Sequence, residues 1–251
     1  MFVNKLKKDL KNGEVRVGTF VTLNSPEIIE MVALAGFDFV VIDTEHGFGS
    51  VERTVDLIRA AEAKNITPII RVTENSRTLI LRNLDVGAHG IIVPQVSSLT
   101  DANKLIAAAK YDPKGNRGVA YCRAGDYGQI DLMEYFEKEN QETLIVPQCE
   151  TVEGLSEIED IAKIEDVDVI FFGPFDMSQS MGIIGKVKSE KVESAACKVL
   201  EACKSNGKEA GIFAPDANEA KKRIEQGFKF ITIGMDCAII TETFRDIIKG
   251  I

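Results

Sequence analysis

The chain has 251 residues, 45% hydrophobic and 27% charged, with a formal charge of −9. That length suits one α/β barrel better than two domains, and the composition argues against disorder. No run of about eighteen apolar residues is present, so no membrane span is expected, and an acidic chain without a basic stripe is not built for nucleic acid.

The first segment, MFVNKLKKDLKNGE, alternates Lys with apolar residues and reads as a helix rather than a secretory signal. Strand candidates then follow at Val15–Leu23, Phe37–Asp43, Thr67–Val72, Gly90–Val96, Thr143–Cys149, Val167–Phe172, Ala210–Ala214 and Phe228–Ile233. Between them lie amphipathic segments with helix-start signals, such as Asn24-Ser25-Pro26-Glu27, Ser50 and Ser76, and with terminal glycines Gly36, Gly87 and Gly227. The strands are near-continuous apolar runs (FVVID, VIFF), which suits a parallel sheet covered on both faces. Eight such βα units predict a (β/α)8 TIM barrel over residues 1–251 as a single domain; a doubly wound open sheet is the alternative.

One connection is unusually long. YDPKGNRGVAYCRAGDYG and a helix through about Asn140 separate the fourth helix from the fifth strand, a length that marks a functional or interfacial segment. The basic runs Lys5–Lys8 and Lys221–Arg223 read as solvated helix faces. Five cysteines (Cys122, Cys149, Cys197, Cys203, Cys237) form no CxxC pair, so a reducing, cytoplasmic setting is expected rather than a disulfide framework.

Chemistry in a parallel barrel sits at the C-terminal ends of the strands, where many strands converge on one point. Those ends read Asp43-Thr44-Glu45-His46, Arg71, Gln148-Cys149-Glu150 and Gly173-Pro174-Phe175-Asp176. Taken singly, Asp43, Glu150 and Asp176 each fit a helix cap, Arg71 a counter-charge and His46 a loop histidine. Together they offer hard oxygen ligands for Mg2+ or Mn2+ (Co2+ or Zn2+ as alternatives), an Arg fork for a carboxylate, and an imidazole base. No strand end carries the Lys a Schiff-base aldolase needs. Asp216 and Asp236 stand where a barrel usually binds phosphate.

The stretches GTFVTLNSPEIIEMVALAGFDFVVIDTEHG, PIIRV, LRNLDVGAHGIIVPQV, PKGNRGVAYCRAGDYG, VPQCET and FFGPFDMSQSMG resemble the HpcH/HpaI family of metal-dependent pyruvate aldolases, in order and from about Gly18 to beyond Asp236. The resemblance implies a phosphoenolpyruvate/pyruvate-type barrel and a lyase that splits a 4-hydroxy-2-oxo acid reversibly into pyruvate and an aldehyde through a metal-bound enolate. It implies that Glu150 and Asp176 bind the metal with Gln148 beside them, that Arg71 supports the enolate, and that backbone around Gly173 and Phe175 grips the carboxylate. His46 would be the base, acting through a metal-bound water, with Asp43 orienting it and Asp85 reaching in from a neighbouring subunit. The family resemblance further implies hexamers, as trimers of dimers, that exchange a C-terminal helix matching Asp236–Ile251. Phe175 and Phe213 depart from the small residue and the Leu usual in the family, which leaves the acceptor aldehyde open. Oxaloacetate decarboxylation or malyl/citramalyl-CoA-type cleavage is the alternative reaction. A non-catalytic oligomeric binding protein is a third reading, and the intact set of His46, Arg71, Glu150 and Asp176 argues against it.

Overall fold

The structure, a computed structural model, describes residues 3–251. In chain order it runs α1 (Lys5–Lys11), β1 (Arg16–Val21), α2 (Pro26–Leu34), β2 (Phe39–Asp43), α3 (Val51–Ala63), β3 (Thr67–Arg71), α4 (Arg77–Asp85), β4 (Gly90–Val93) and α5 (Leu99–Ala109). The long connection then forms a 3-10 turn (Arg123–Gly128) and α6 (Leu132–Glu142). The second half continues β5 (Leu144–Cys149), α7 (Val152–Ser156), α8 (Ile158–Ala162), β6 (Val169–Phe172), α9 (Pro174–Ser180), α10 (Glu190–Ser205), β7 (Glu209–Ala214), α11 (Ala217–Gln226), β8 (Phe230–Met235) and α12 (Asp236–Lys249).

The strands close in sequence order into an eight-stranded barrel, with every neighbouring pair parallel and β1 pairing with β8. The chain is therefore a (β/α)8 barrel, as its strand pattern predicts. Closure splits the core in two. Alternate strand residues face outward, where Val40, Ile42, Ile70, Ile91 and Ile170 pack under the helices. The intervening residues Phe39, Val41, Ile69, Ile92, Val146, Val169, Phe171 and Phe230 fill the barrel interior, with Leu6 and Leu10 of α1 packed against them. Rings crowd this interior so closely that a Cβ at Gly211 would lie 2.9 Å from Phe171 and 3.0 Å from Phe230.

Two of the surface expectations are corrected. Lys7 is buried, with its ammonium 3.0 Å from Asp168 and donating to the Thr143 carbonyl at 3.0 Å. Arg223 is buried against Glu193 and Glu219. Neither basic run is a wholly solvated face, because in each one residue finds a carboxylate across a packed interface.

Candidate active site

The rim of the barrel follows from strand parity. Val41, Ile69, Val146 and Phe171 face the interior, so the residues two further on, Asp43, Arg71, Gln148 and Gly173, belong to the same inward-facing rows at the C-terminal mouth. Asp43 and Arg71 are direct partners in the β2–β3 ladder. The Arg71 guanidinium donates to both Asp43 oxygens, from Nε at 2.9 Å and from Nη2 at 2.6 Å, in a buried bidentate fork. It also stacks on Phe20, with its central carbon 4.6 Å from the ring centroid. Asp43 Oδ1 accepts the backbone N–H of Glu45 at 3.0 Å, so the same carboxylate fixes the turn that presents His46.

Glu45 is a residue the sequence reading passed over. Its Oε2 lies 3.3 Å from Arg71 Nη1 and 3.9 Å from His46 Nε2. Burial raises its carboxyl, and Arg71 and His46 only partly oppose that. Its place two residues beyond Asp43 is the signal that could have found it. Burial on its own would lower the Arg71 guanidinium, but the bonds to Asp43 outweigh it and the group is held more firmly protonated than usual.

Glu150 is buried on the next arc of the rim. Its Oε1 accepts the Gln95 backbone N–H at 2.7 Å, and its Oε2 accepts from Gln148 Nε2. Gln95 holds a left-handed backbone at φ 51° to make that contact, another feature without a signal in the sequence. Burial pushes the Glu150 carboxyl up to about 7; Asp176 and Glu45 push the same way, against the Gln95 bond and Arg71. Beside it, Gln148 Oε1 is buried without a hydrogen-bond partner. An unpartnered carboxamide oxygen and a carboxylate destabilised by its acidic neighbours are the surroundings a hard divalent cation would satisfy. Among the described residues no three His, Cys, Asp or Glu side chains group as a complete metal cage, so water and substrate would supply further ligands.

A cavity of about 160 Å3 opens on this rim, lined by Phe20, His46, Arg71, Gln148, Phe171, Gly173, Pro174, Phe175, Asp176, Phe213 and Met235. Gly173 is required by proximity: a Cβ there would lie 2.7 Å from Glu150 Oε2 and 3.2 Å from Gln148 Nε2. Its N–H already donates to the Cys149 carbonyl at 3.2 Å, so Gly173 clears space rather than offering a donor. Asp176 falls in the first turn of α9, whose amides at Phe175 and Asp176 precede the first intrahelical bond, from Met177 N to Gly173 O.

Of the predicted set, His46, Arg71, Gln148, Gly173, Phe175 and Asp176 line one cavity, with Asp43 and Glu150 bonded directly behind it. Asp85 does not join them within one chain: it ends α4 and takes a 2.8 Å bond from Arg117. Asp216 and Asp236 are occupied locally. Asp216 caps α11 through the amides of Asn218 and Glu219, and Asp236 ties down the end of β1 through the amides of Thr22 and Leu23. The Lys110 ammonium, lowered to about 7 by burial, lies at the opposite end of the barrel, donating to the Asn140 and Thr143 carbonyls.

The profile of the family described as HpcH/HpaI aldolase/citrate lyase matches residues 16–242. A 5-keto-4-deoxy-D-glucarate aldolase of Enterobacter sp. (strain 638) is 32% identical over 240 residues, covering 95% of this chain and 93% of that protein. A hydroxypyruvate/pyruvate aldolase of Pseudomonas aeruginosa is 32% identical over 247 residues, covering 98% and 91%. Among solved structures, an HpcH/HpaI aldolase/citrate lyase family protein from Burkholderia cenocepacia J2315 superposes with a TM-score of 0.94 at 31% identity over 99% of both chains.

Proposed function

The chain belongs to the HpcH/HpaI aldolase/citrate lyase family, and from that premise we propose that it is a carbon–carbon lyase that splits a 4-hydroxy-2-oxo acid into pyruvate and an aldehyde, reversibly, at the Arg71–Glu150 rim. The observation that carries this is an immobilised Arg71 beside a buried Glu150 carboxylate that, among the described residues, makes no ion pair of its own. Glu150 and Asp176 would hold Mg2+ or Mn2+, with the free Gln148 oxygen beside them. When bound, such an ion supplies Lewis-acid stabilisation of negative charge on the 2-oxo oxygen, worth several kcal/mol.

The side chains divide the remaining work. Asp43 and Glu45 hold the Arg71 guanidinium in place, so its remaining N–H groups present positive charge to the oxygen that becomes an enolate. His46 stands at the mouth with its imidazole largely exposed, able to take the C4 hydroxyl proton and pass it to water. Loss of that proton breaks the C3–C4 bond; the aldehyde leaves, and the electron pair remains as pyruvate enolate until C3 is protonated. The amides of Phe175 and Asp176, which precede the first intrahelical bond of α9, would meet the substrate carboxylate.

Assembly and setting follow the same kinship. Phe244, Ile247 and Ile248 of α12 are exposed at 64%, 58% and 70%, while α12 meets the barrel at β1 and β8. That supports a homo-oligomer in which this helix packs on another copy; on kinship alone, Asp85 of one subunit would assist His46 of the next. No helix among the described residues is long and apolar enough to cross a membrane, and the five free cysteines support a reducing cytoplasm.

Exchange of pyruvate methyl protons in D2O tests the reading without needing to know the acceptor. The protein with Mn2+ or Mg2+ should exchange them, EDTA should stop exchange, and added metal should restore it. Exchange that survives EDTA removes the metal from the account, and no exchange with either ion removes the enolate.

A further inference from the structure

We propose that the aldehyde released from this site is uncharged and apolar, and that Phe213 on β7 is the residue that selects it. This rests on the enolate reading above and adds the class of acceptor to it.

The cavity is two-faced. Arg71, Gln148 and Asp176 form its polar side, with His46 at the mouth, and Phe20, Phe171, Phe175, Phe213 and Met235 make up most of the rest. The rings are continuous: Phe20 stands 6.1 Å from Phe171 and 6.2 Å from Phe213 between centroids. Phe213 and Met235 pack against the interior core and are only partly buried, so they present apolar surface to the cavity. With the 2-oxo acid held by the polar side, the departing aldehyde is left against these rings.

Charge points the same way. Among the described residues the one Lys or Arg lining the cavity is Arg71, already engaged by Asp43 through two nitrogens and by Glu45 through the third. Asp43, Glu45, Glu150 and Asp176 crowd the same rim. A carboxylate on the aldehyde would shed water against aromatic faces and meet acids rather than a donor, a cost on the order of tenfold or more in kcat/KM. Each methylene laid on the rings instead gains roughly fourfold. The glucarate aldolase relative is named for a substrate with a carboxylate at each end; on this reading the present chain has turned away from that class.

The test uses the full-length protein with Mn2+, condensing pyruvate with succinic semialdehyde and with 4-methylpentanal, in which an isopropyl group replaces the carboxylate. The expected kcat/KM ratio favours 4-methylpentanal by about tenfold or more; a ratio of one or below overturns the proposal. Phe213→Arg should lower the ratio by supplying a cation, and Phe213→Leu should lower it by thinning the apolar wall. Because each ratio is read within one preparation, partial misfolding cancels. Ratios unchanged in every variant that folds overturn the assignment to Phe213. Pyruvate methyl exchange by the wild-type protein separates the two levels: exchange with the charged aldehyde preferred refutes the acceptor class alone, whereas no exchange and no condensation refutes the enolate reading on which it rests.

Discussion

Replacing Gly173 by Ala tests how closely the rim is built around Glu150. The backbone at this position has φ −98° and ψ 94°, which an L residue adopts without strain, so the perturbation is the methyl group alone. That methyl would stand 2.7 Å from Glu150 Oε2 and 3.0 Å from Glu150 Cβ, well inside the roughly 3.5–4.0 Å at which carbon atoms sit comfortably. The Cβ contact cannot be relieved by swinging the end of a flexible side chain, so Glu150 or the strand end must move. Overpacking of this kind costs about 1–3 kcal/mol. If the displacement falls on the carboxylate, Mn2+ affinity should drop by about tenfold to a hundredfold, since roughly 1.4 kcal/mol is one decade. Isothermal titration with Mn2+ reads that directly, and thermal unfolding without metal reads how much strain the fold absorbs. Wild-type Mn2+ affinity together with wild-type metal-free stability in Gly173→Ala would show that Glu150 does not hold the ion.

Arg117 is fully buried, donating to Glu139 at 2.9 Å and to Asp85 at 2.8 Å, over the Tyr111 ring. Arg117→Met strands the Glu139 charge and should cost about 3–5 kcal/mol in urea unfolding, with much of it regained in Arg117→Met/Glu139→Leu; a double variant no better than the single would rule out a coupled pair. Burial tends to raise the Glu62 carboxyl, but bonds from His89 and Arg123 prevail and hold it at about 2 against an ordinary 4.5. The unfolded chain binds the extra proton in that window, so this group's stabilisation is present above pH 4.5 and is lost as pH falls toward 2. The stability difference between wild type and Glu62→Gln should shrink across that range, and a pH-independent difference would contradict the bonding. Asp85→Asn and Glu150→Gln proteins, each inactive, should regain exchange activity when unfolded and refolded together, if one subunit's acid serves the next subunit's site. No recovery despite mixed oligomers would confine each site to its own chain.

The eight strands were legible because a parallel strand buried on both faces must be apolar along its whole length, which leaves an uninterrupted run in the sequence. Their ends were less so. The Gly90–Val96 expectation overshoots Gly90–Val93 because Pro94 has no N–H to continue the ladder, and Val15–Leu23 contracts to Arg16–Val21, with the Thr22 and Leu23 amides donating instead to Asp236. Asp43, Arg71, Gln148, Glu150 and Asp176 were legible because barrel topology carries strand ends to one rim. What escaped was pairing between distant segments. Nothing near Lys7 announces Asp168, nothing near Asp85 announces Arg117, and the Gln95 amide reaches Glu150 through a backbone conformation that no residue type signals.

The unequal treatment of the acids on the rim argues that it is shaped for a ligand rather than for stability. Asp43 is fully compensated by the Arg71 fork, the arrangement expected of a buried pair that has to persist. Glu150, equally buried, receives a backbone amide and a carboxamide but no side-chain cation of its own, while Asp176 and Glu45 raise the cost of its charge. A neutral isostere at position 150 would relieve that cost, so a rim under pressure only to fold would not keep a carboxylate there. Arg71 is tied to Asp43 and Glu45, and the deficit of positive charge around Glu150, Asp176 and the Gln148 oxygen is what makes an outside cation the natural proposal there.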